Sequence, residues 1–352
     1  STTLGCLFFV IVVNLTRAGW SSTVRRIAVL FSRCIVPLFI LALPILIPVI
    51  MQQDSLYSWN SLGYSEDGEA GELIRSSGVA PPLEQSKGAY LNWWFFTARV
   101  VAYFVIWGLM AWFFLSNSLK QDKTGDKSLS LKMQKYSAPI MILFAATLVF
   151  ASFDFEMSLA PLWFSTMFPV YFFAGSFLGG VAAICLTGLL LQRSGRVTDE
   201  ITVDHYHDLA KLMFSFVFFW GYIGFGQFML IWYANIPEET FWFDWRINRE
   251  GWAMFSLILL FGHLFIPFLG LMARTVRRNK TFLLFASIYI LVFHWVDHYW
   301  LVMPQMKADH SFTFNALVDI PCAIGMVGLY VAIFCLIARD RPLVPLQDPR
   351  LG

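Results

Sequence analysis

The chain has 352 residues, of which 58% are hydrophobic, 18% aromatic and only 14% charged, and its mean hydropathy is +0.63. A soluble domain carries about 25% charged residues to keep its surface hydrated, so that class is excluded. The 25 Lys and Arg nearly balance the 23 Asp and Glu, and a net charge of +2 leaves no electrostatic footprint for nucleic acid.

Apolar runs of about 20 residues, the length that crosses a roughly 30 Å hydrocarbon core, recur along the whole chain. They predict an all-α polytopic membrane protein with nine transmembrane helices, at 3–16, 28–50, 93–115, 137–153, 167–191, 209–233, 252–272, 281–303 and 315–338. The first run starts behind Ser1-Thr2-Thr3, without an initiator Met or the basic segment of a signal peptide. The second contains Pro37, Pro44 and Pro48, and an acidic stretch over 51–92 follows, with Glu66, Asp67, Glu69, Glu72 and Glu84. Gly175 with Gly179, and Gly221 with Gly224, have the helical spacing that lets helices approach closely. Trp93, Trp94, Trp232, Tyr233, Trp242, Trp245, Tyr299 and Trp300 lie near span ends, where interfacial anchors are expected. The five cysteines, Cys6, Cys34, Cys185, Cys322 and Cys335, are scattered singly through apolar stretches and form no ligand spacing.

Basic residues alternate between connections, which is how orientation is read from sequence. One set of connections holds Arg17, Arg25, Arg26, Arg33, then the Lys group from 120 to 135, then Arg193, Arg196 and Lys211, then Arg274, Arg277, Arg278 and Lys280, and last Arg339, Arg341 and Arg350. The other set holds only Arg75, Lys87, Arg99, Arg246, Arg249 and Lys307. The C-terminus is therefore expected to be cytoplasmic, and a tenth, upstream span would return the N-terminus to the same side.

Ionisable side chains inside a bilayer cost several kcal/mol each, so they usually face a bundle interior and mark a ligand site or an ion path. His294, Asp297 and His298 share one helix face at i, i+3 and i+4. Asp154, Glu156, Arg99 and Asp319 fall at similar depth, and together these groups are expected to form an outer site for protons or a quinol. His205, His207, Asp208 and Lys211, with Asp204, make a cytoplasmic group at the start of the sixth span, while His263, Tyr222 and Gln227 lie between. Carboxylates and imidazoles exchange protons near neutral pH, so the three groups outline a proton path in two halves. Each has a plainer reading: a hydrogen-bond network that fixes packing, a snorkelling Arg99, or a solvated helix start. A stand-alone proton-coupled transporter would need the same residues, although Pro267 is the only later counterpart to the prolines of the second span. His263 with His294 or His298 would supply one haem pair. No phosphate-binding Gly loop or nucleophile motif is present.

Three stretches carry a family resemblance. They are His207-Asp208-Leu209-Ala210-Lys211-Leu212-Met213-Phe214 with the continuation Gln227 to Glu239, Ser152-Phe153-Asp154 to Thr166, and His294-Trp295-Val296-Asp297 to Pro304. They resemble the F-type integral membrane subunits, or quinone-binding subunit 2, of bacterial alternative complex III, a quinol:electron-acceptor oxidoreductase of the wider NrfD or polysulfide-reductase-like group. The resemblance departs at Phe155-Glu156 and at Ala160. It implies two four-helix bundles with peripheral helices. On this chain these would be residues 1–153, including the acidic outer loop, and 167–303, followed by a peripheral helix at 315–338 and a cytoplasmic tail at 339–352. It further implies a multi-pass subunit of the bacterial inner membrane that scaffolds the complex and conducts protons, with a quinone as the ligand. The implied partners are a paralogous NrfD-like subunit, an iron–sulfur subunit, c-type cytochromes, small membrane subunits and lipids. Haems c and iron–sulfur clusters would reside in those partners and not in this chain.

Overall fold

In lipid every backbone N–H and C=O must be satisfied within its own segment, and long apolar runs do this as helices. The computed structural model describes residues 1–53, 56–60, 87–197, 200–249, 251–306, 310–312 and 314–349, and among them it is helical, without strands. Glu66, Asp67, Glu69, Glu72, Arg75 and Glu84 of the acidic loop, and Lys307 and Arg350, lie outside the described residues. The helices are α1 (Thr2–Leu15), α2 (Ser22–Arg33), α3 (Ile35–Ile50), α4 (Trp93–Thr124), α5 (Ser128–Phe155), α6 (Phe168–Arg193) and α7 (Val203–Ala234). They continue as α8 (Pro237–Ile247), α9 (Trp252–Leu259), α10 (Ile266–Met272), the single turn α11 (Arg274–Arg277), α12 (Lys280–Val302) and α13 (Ala316–Ala338).

Among the described residues, eight segments are long and apolar enough to cross a membrane: α2 with α3, α4, α5, α6, α7, α9 with α10, α12 and α13. The chain is a multi-pass membrane protein. The ninth expected span, 3–16, is the apolar helix α1, of which 14 residues are present, about 21 Å at 1.5 Å per residue. Several helices outrun their apolar stretches because polar helix formers extend them. Thus α5 begins at Ser128 rather than near 137, behind Asp126, whose side chain accepts from the Ser128 N–H at 2.8 Å. Terminators are equally local: Gly125 (φ 64°) ends α4 and Asn235 (φ 48°) ends α7, both left-handed.

Helix α6 lies at the centre, packed against α1 and α5 on one side and α7 and α12 on the other, and 78% of its apolar window is buried. Small residues permit this. A Cβ on Gly5 of α1 would lie 1.9 Å from the Ser176 carbonyl oxygen of α6, and one on Gly180 would meet the Gly5 backbone at 2.6 Å. Gly175 and Gly179, on the same helix, seat the His294 ring: a Cβ at Gly179 would stand 2.8 Å from its Cδ2. By contrast α13 buries only 6% of its window and leans on the rest through Phe334, which stacks on Phe31 at 4.2 Å.

The Arg-rich connections meet at one end of the bundle. There Arg25 pairs with Asp348, Arg26 with Asp122, Arg278 with Asp204 at 2.5 Å, and Lys280 Nζ donates to Gln192 Oε1 at 2.8 Å. The tail after α13 folds back over this end, where the Leu346 N–H donates to Asp122 Oδ1.

Candidate functional site

The i, i+3, i+4 face of α12 points inward at the Arg-poor end, with His294 4% and Asp297 2% exposed. Asp297 is held from two other helices. The Tyr171 hydroxyl of α6 donates to its Oδ1 at 2.5 Å, and Trp220 Nε1 of α7 donates to its Oδ2 at 3.1 Å. His298 Nδ1 lies 2.9 Å from Glu156 Oε1, and the His294 and His298 rings are 4.7 Å apart. His294 Nε2 lies 2.9 Å from Ser1 Oγ. Five buried polar atoms in this group, Glu156 Oε2, His294 Nδ1, His298 Nε2 and, across Trp220, both ring nitrogens of His263, have no partner.

The other residues expected at this depth do not join them. Asp154, two residues from Glu156, turns toward α4, where Arg99 Nε and Nη2 each donate to it at 2.8 Å and the Tyr103 hydroxyl donates at 2.7 Å. Arg99 is therefore a half-buried ion-pair partner, sandwiched against Tyr90 at 3.8 Å and Phe95 at 4.3 Å, and not a snorkeller. Asp319 accepts from the Tyr299 hydroxyl at 2.9 Å and from the Asn315 N–H at 2.7 Å, fixing the start of α13. The expected single outer site is thus three: the α12 cluster, the Arg99–Asp154 pair and the Asp319 cap.

Of the intermediate residues, His263 sits fully buried on a π turn (Leu260–Phe265) between α9 and α10. Its ring lies 4.2 Å from that of Trp220, and neither of its nitrogens has a partner. Gln227 is 6% exposed with Oε1 unpartnered. Tyr222 is 62% exposed, stacked on Phe218 on the outer face of α7, away from the path. At the Arg-rich end, His205 closes a capping box with Thr202, and Asp208 pairs with Lys211 at 2.5 Å. His207 alone keeps a buried nitrogen, Nδ1, without a partner.

A cavity of about 490 Å³ lies on the other side of the Tyr171 and Trp220 side chains from the α12 cluster, and both rings line it. Gln227 and Ser256 add the polar groups, while exposed Phe225, Leu257 and Leu260 stand at its rim. Its volume and mostly apolar lining with a few polar groups are what a small-molecule site has. Trp242 and Trp300, expected as interfacial anchors, are walls of this cavity instead, and Trp242 is 2% exposed. Behind them stands Arg246 of α8, fully buried, with no carboxylate beside it among the described residues. Its guanidinium donates to the carbonyls of Trp242 (2.7 Å), Leu301 (2.9 Å) and Trp300 (3.2 Å) and lies over the Trp242 ring at 3.4 Å. Burial lowers its proton affinity below the ordinary arginine value.

Residues 89–307, more than half of the chain, match the family model described as NrfD, polysulphide reductase. The chain belongs to the NrfD family. A curated protein from Nitratidesulfovibrio vulgaris (strain Hildenborough), named only "Protein", is 23% identical over 201 residues, 53% of this chain and 47% of that protein. This chain therefore spans about half the length of that curated relative. The NrfD match runs from just before α4 to the end of α12, so it contains the cavity, Asp297 and the Arg99–Asp154 pair.

Proposed function

We propose that this NrfD-family chain is the F-type membrane subunit of an alternative complex III in a bacterial inner membrane, with its Arg-rich end and C-terminus in the cytoplasm. What supports the finer assignment is the run of family-like strings at 152–166, 207–239 and 294–304. The second and third of these contain cavity-lining residues of α7 and α12, among them Gln227 and Trp300. In this reading the chain scaffolds a paralogous NrfD-like subunit, an iron–sulfur subunit, c-type cytochromes and small membrane subunits, and the redox centres belong to those partners.

The observation that carries the functional reading is a buried carboxylate, Asp297, whose two hydrogen-bond donors, Tyr171 and Trp220, are walls of the cavity. The cavity fits an isoprenoid quinone: it is mostly apolar, opens among exposed hydrophobic side chains, and contains the unpartnered Gln227 Oε1 as an acceptor for a hydroxyl. On oxidation a bound quinol would give two electrons to the redox centres of the partner subunits and two protons to acceptors beside the cavity. Within this chain Trp220 and Tyr171 orient Asp297, Tyr171 Oη hands a proton to Asp297 Oδ1 by exchanging its own, and the aromatic walls exclude water. His298 with Glu156 forms the next station. His263, against the far face of Trp220, and His207 mark the way toward the Arg-rich end.

Asp297→Asn retains the shape and one acceptor oxygen but removes the titrating group. In the purified complex it is expected to lower quinol-dependent turnover at least tenfold, the scale of a general acid–base contribution, and to reduce proton release per electron. A density map with a quinone-site inhibitor locates the ligand directly. Inhibitor beside Tyr171 and Gln227 supports the reading; inhibitor confined to a partner subunit, with wild-type proton release in Asp297→Asn, overturns it.

A further inference from the structure

The two segments that flank the cavity are joined at its floor. There α7 packs on α10 and on the π turn, and a Cβ at Gly221 would stand 2.4 Å from Leu264 Cδ1. Beyond that contact α9 packs on α8 and α12, and the space between α7 and α9 belongs to the cavity. Phe225 and Phe228 form one wall of it; Leu257 of α9 and Leu260 of the π turn form the other. Gly224 keeps the inner end clear, since a Cβ there would stand 2.9 Å from Tyr171 Cε2. Phe225, Leu257 and Leu260 line the cavity and yet are 61%, 50% and 39% exposed, so the cavity continues between them to the outside of the bundle.

What lies outside that gap is hydrocarbon. Both walls belong to membrane-crossing segments, and the side chains around the gap, Phe218, Tyr222, Met254, Ile258 and Phe261, are exposed and almost wholly apolar. The Arg-poor end is built differently. There α8 packs across both α7 and α9, its Trp242 and Phe243 are buried, and Trp163 stacks on Trp242 at 4.4 Å. A ligand dissolved in water would have to part these rings, whereas one dissolved in the bilayer meets an opening of its own polarity. On the reading of this cavity as a quinone site, we infer that the gap between α7 and α9 is its lateral opening to the lipid. The headgroup lies beside Tyr171 and Gln227, and the isoprenoid tail leaves between Phe225 and Leu257. The occupant follows from continuity, because gap and cavity share their walls and a tail attached to a bound headgroup has to pass between them. Phe225, Leu257 and Leu260 therefore decide which tailed ligands the site accepts.

A naphthoquinone with a decyl tail that ends in a diazirine, photolysed in membranes holding the full chain and its native partners, tests this, with the label located by peptide mass spectrometry. Label is expected on Phe225, Leu257 or Leu260, and an excess of decyl naphthoquinone without the diazirine is expected to abolish it. Leu257→Trp, which fills the gap from one wall, is expected to raise the probe concentration for half-maximal labelling about tenfold, the usual scale of an overcrowded apolar contact. Ile258→Trp, one residue on and facing lipid beside the gap, leaves that concentration unchanged. Label at the three residues that the excess quinone does not remove means that the gap holds bulk lipid only, and overturns the inference. So does an unchanged half-labelling concentration in Leu257→Trp. Competed label on another wall of the cavity also overturns it but leaves the cavity as a quinone site, whereas competed label confined to a partner subunit removes that reading and the inference together.

Discussion

Arg246 is the residue whose role is least visible from sequence and most constrained in space. In a short segment, PEETFWFDWRI, it looks like one basic residue of an outer connection. In the fold it is a fully buried cation solvated by three carbonyls and two indole rings. Arg246→Ala strands those carbonyls and leaves a gap between Trp242 and Trp300, so a loss of roughly 2–4 kcal/mol is expected. Thermal unfolding in detergent measures it, and Arg246→Lys should recover little because an ammonium cannot span acceptors that a guanidinium reaches together. The α12 residues were legible because i, i+3 and i+4 spacing fixes a shared face whatever the neighbours are. Their partners were not: Tyr171 and Trp220 sit among other aromatics in runs that read as ordinary core, and nothing local says that their polar atoms point at one carboxylate. Asp154 and Glu156 illustrate the same limit. Two positions apart at a helix end, they take different partners, Arg99 and Tyr103 for Asp154 and His298 for Glu156, and depth alone made them look like one group.

Elements were easier to read than their contacts. The start of α4 at Trp93 and the start of α9 at Trp252 coincide with the expected spans, since Asn92 and Gly251 mark them in the sequence. The early start of α5 was hidden because hydropathy follows the membrane, while the helix follows its cap. That cap is testable by pH. Asp126 holds Ser128 through both its carboxylate oxygens, 2.8 Å to the N–H and 2.7 Å to the hydroxyl. These bonds depress its pKa below the ordinary carboxylate value. A depressed folded value means that the stabilisation is full above the unfolded pKa and disappears as pH falls through the folded one. Hydrogen exchange at 126–130 is therefore expected to quicken on strong acidification, and Asp126→Asn, which cannot ionise, should lose that dependence. The α1–α6 contact gives a second prediction. Gly5→Ala drives a methyl into the Ser176 carbonyl and the backbone has no room to yield, so a loss of at least 1–3 kcal/mol is expected. Gly226→Ala, with nothing within 4 Å of the added carbon, is the matched control, and chemical unfolding of both variants decides the comparison.

Across the whole molecule, ion pairs at the Arg-rich end tie the C-terminal tail to the first helices. Asp348, far along the chain from α2, lies 5% exposed against Arg25. Asp348→Ala takes a carboxylate from a buried guanidinium and is expected to cost roughly 3 kcal/mol, as read from the thermal midpoint of the purified protein. An unchanged midpoint would mean that the tail is a passenger. The membrane class and most crossings could be taken from composition and periodicity, because bilayer thickness imposes one length on every span. The central position of α6 could not. It depends on glycines at 175, 179 and 180 meeting α12 and α1 together, a relation among three helices that no single stretch encodes.

One carboxylate separates two compartments in this protein. On one side of Asp297 is a hydrophobic chamber among exposed apolar side chains; on the other are imidazoles and an acid wedged between helices. A greasy visitor and a mobile charge would therefore approach the same group from opposite directions and never compete for space. It follows that the chamber's dimensions can drift with the length of the visitor's tail while the charge-handling side stays as it is, and that the Tyr171 hydroxyl and the Trp220 indole are hydrogen-bonded links by which a change on either side is sensed on the other.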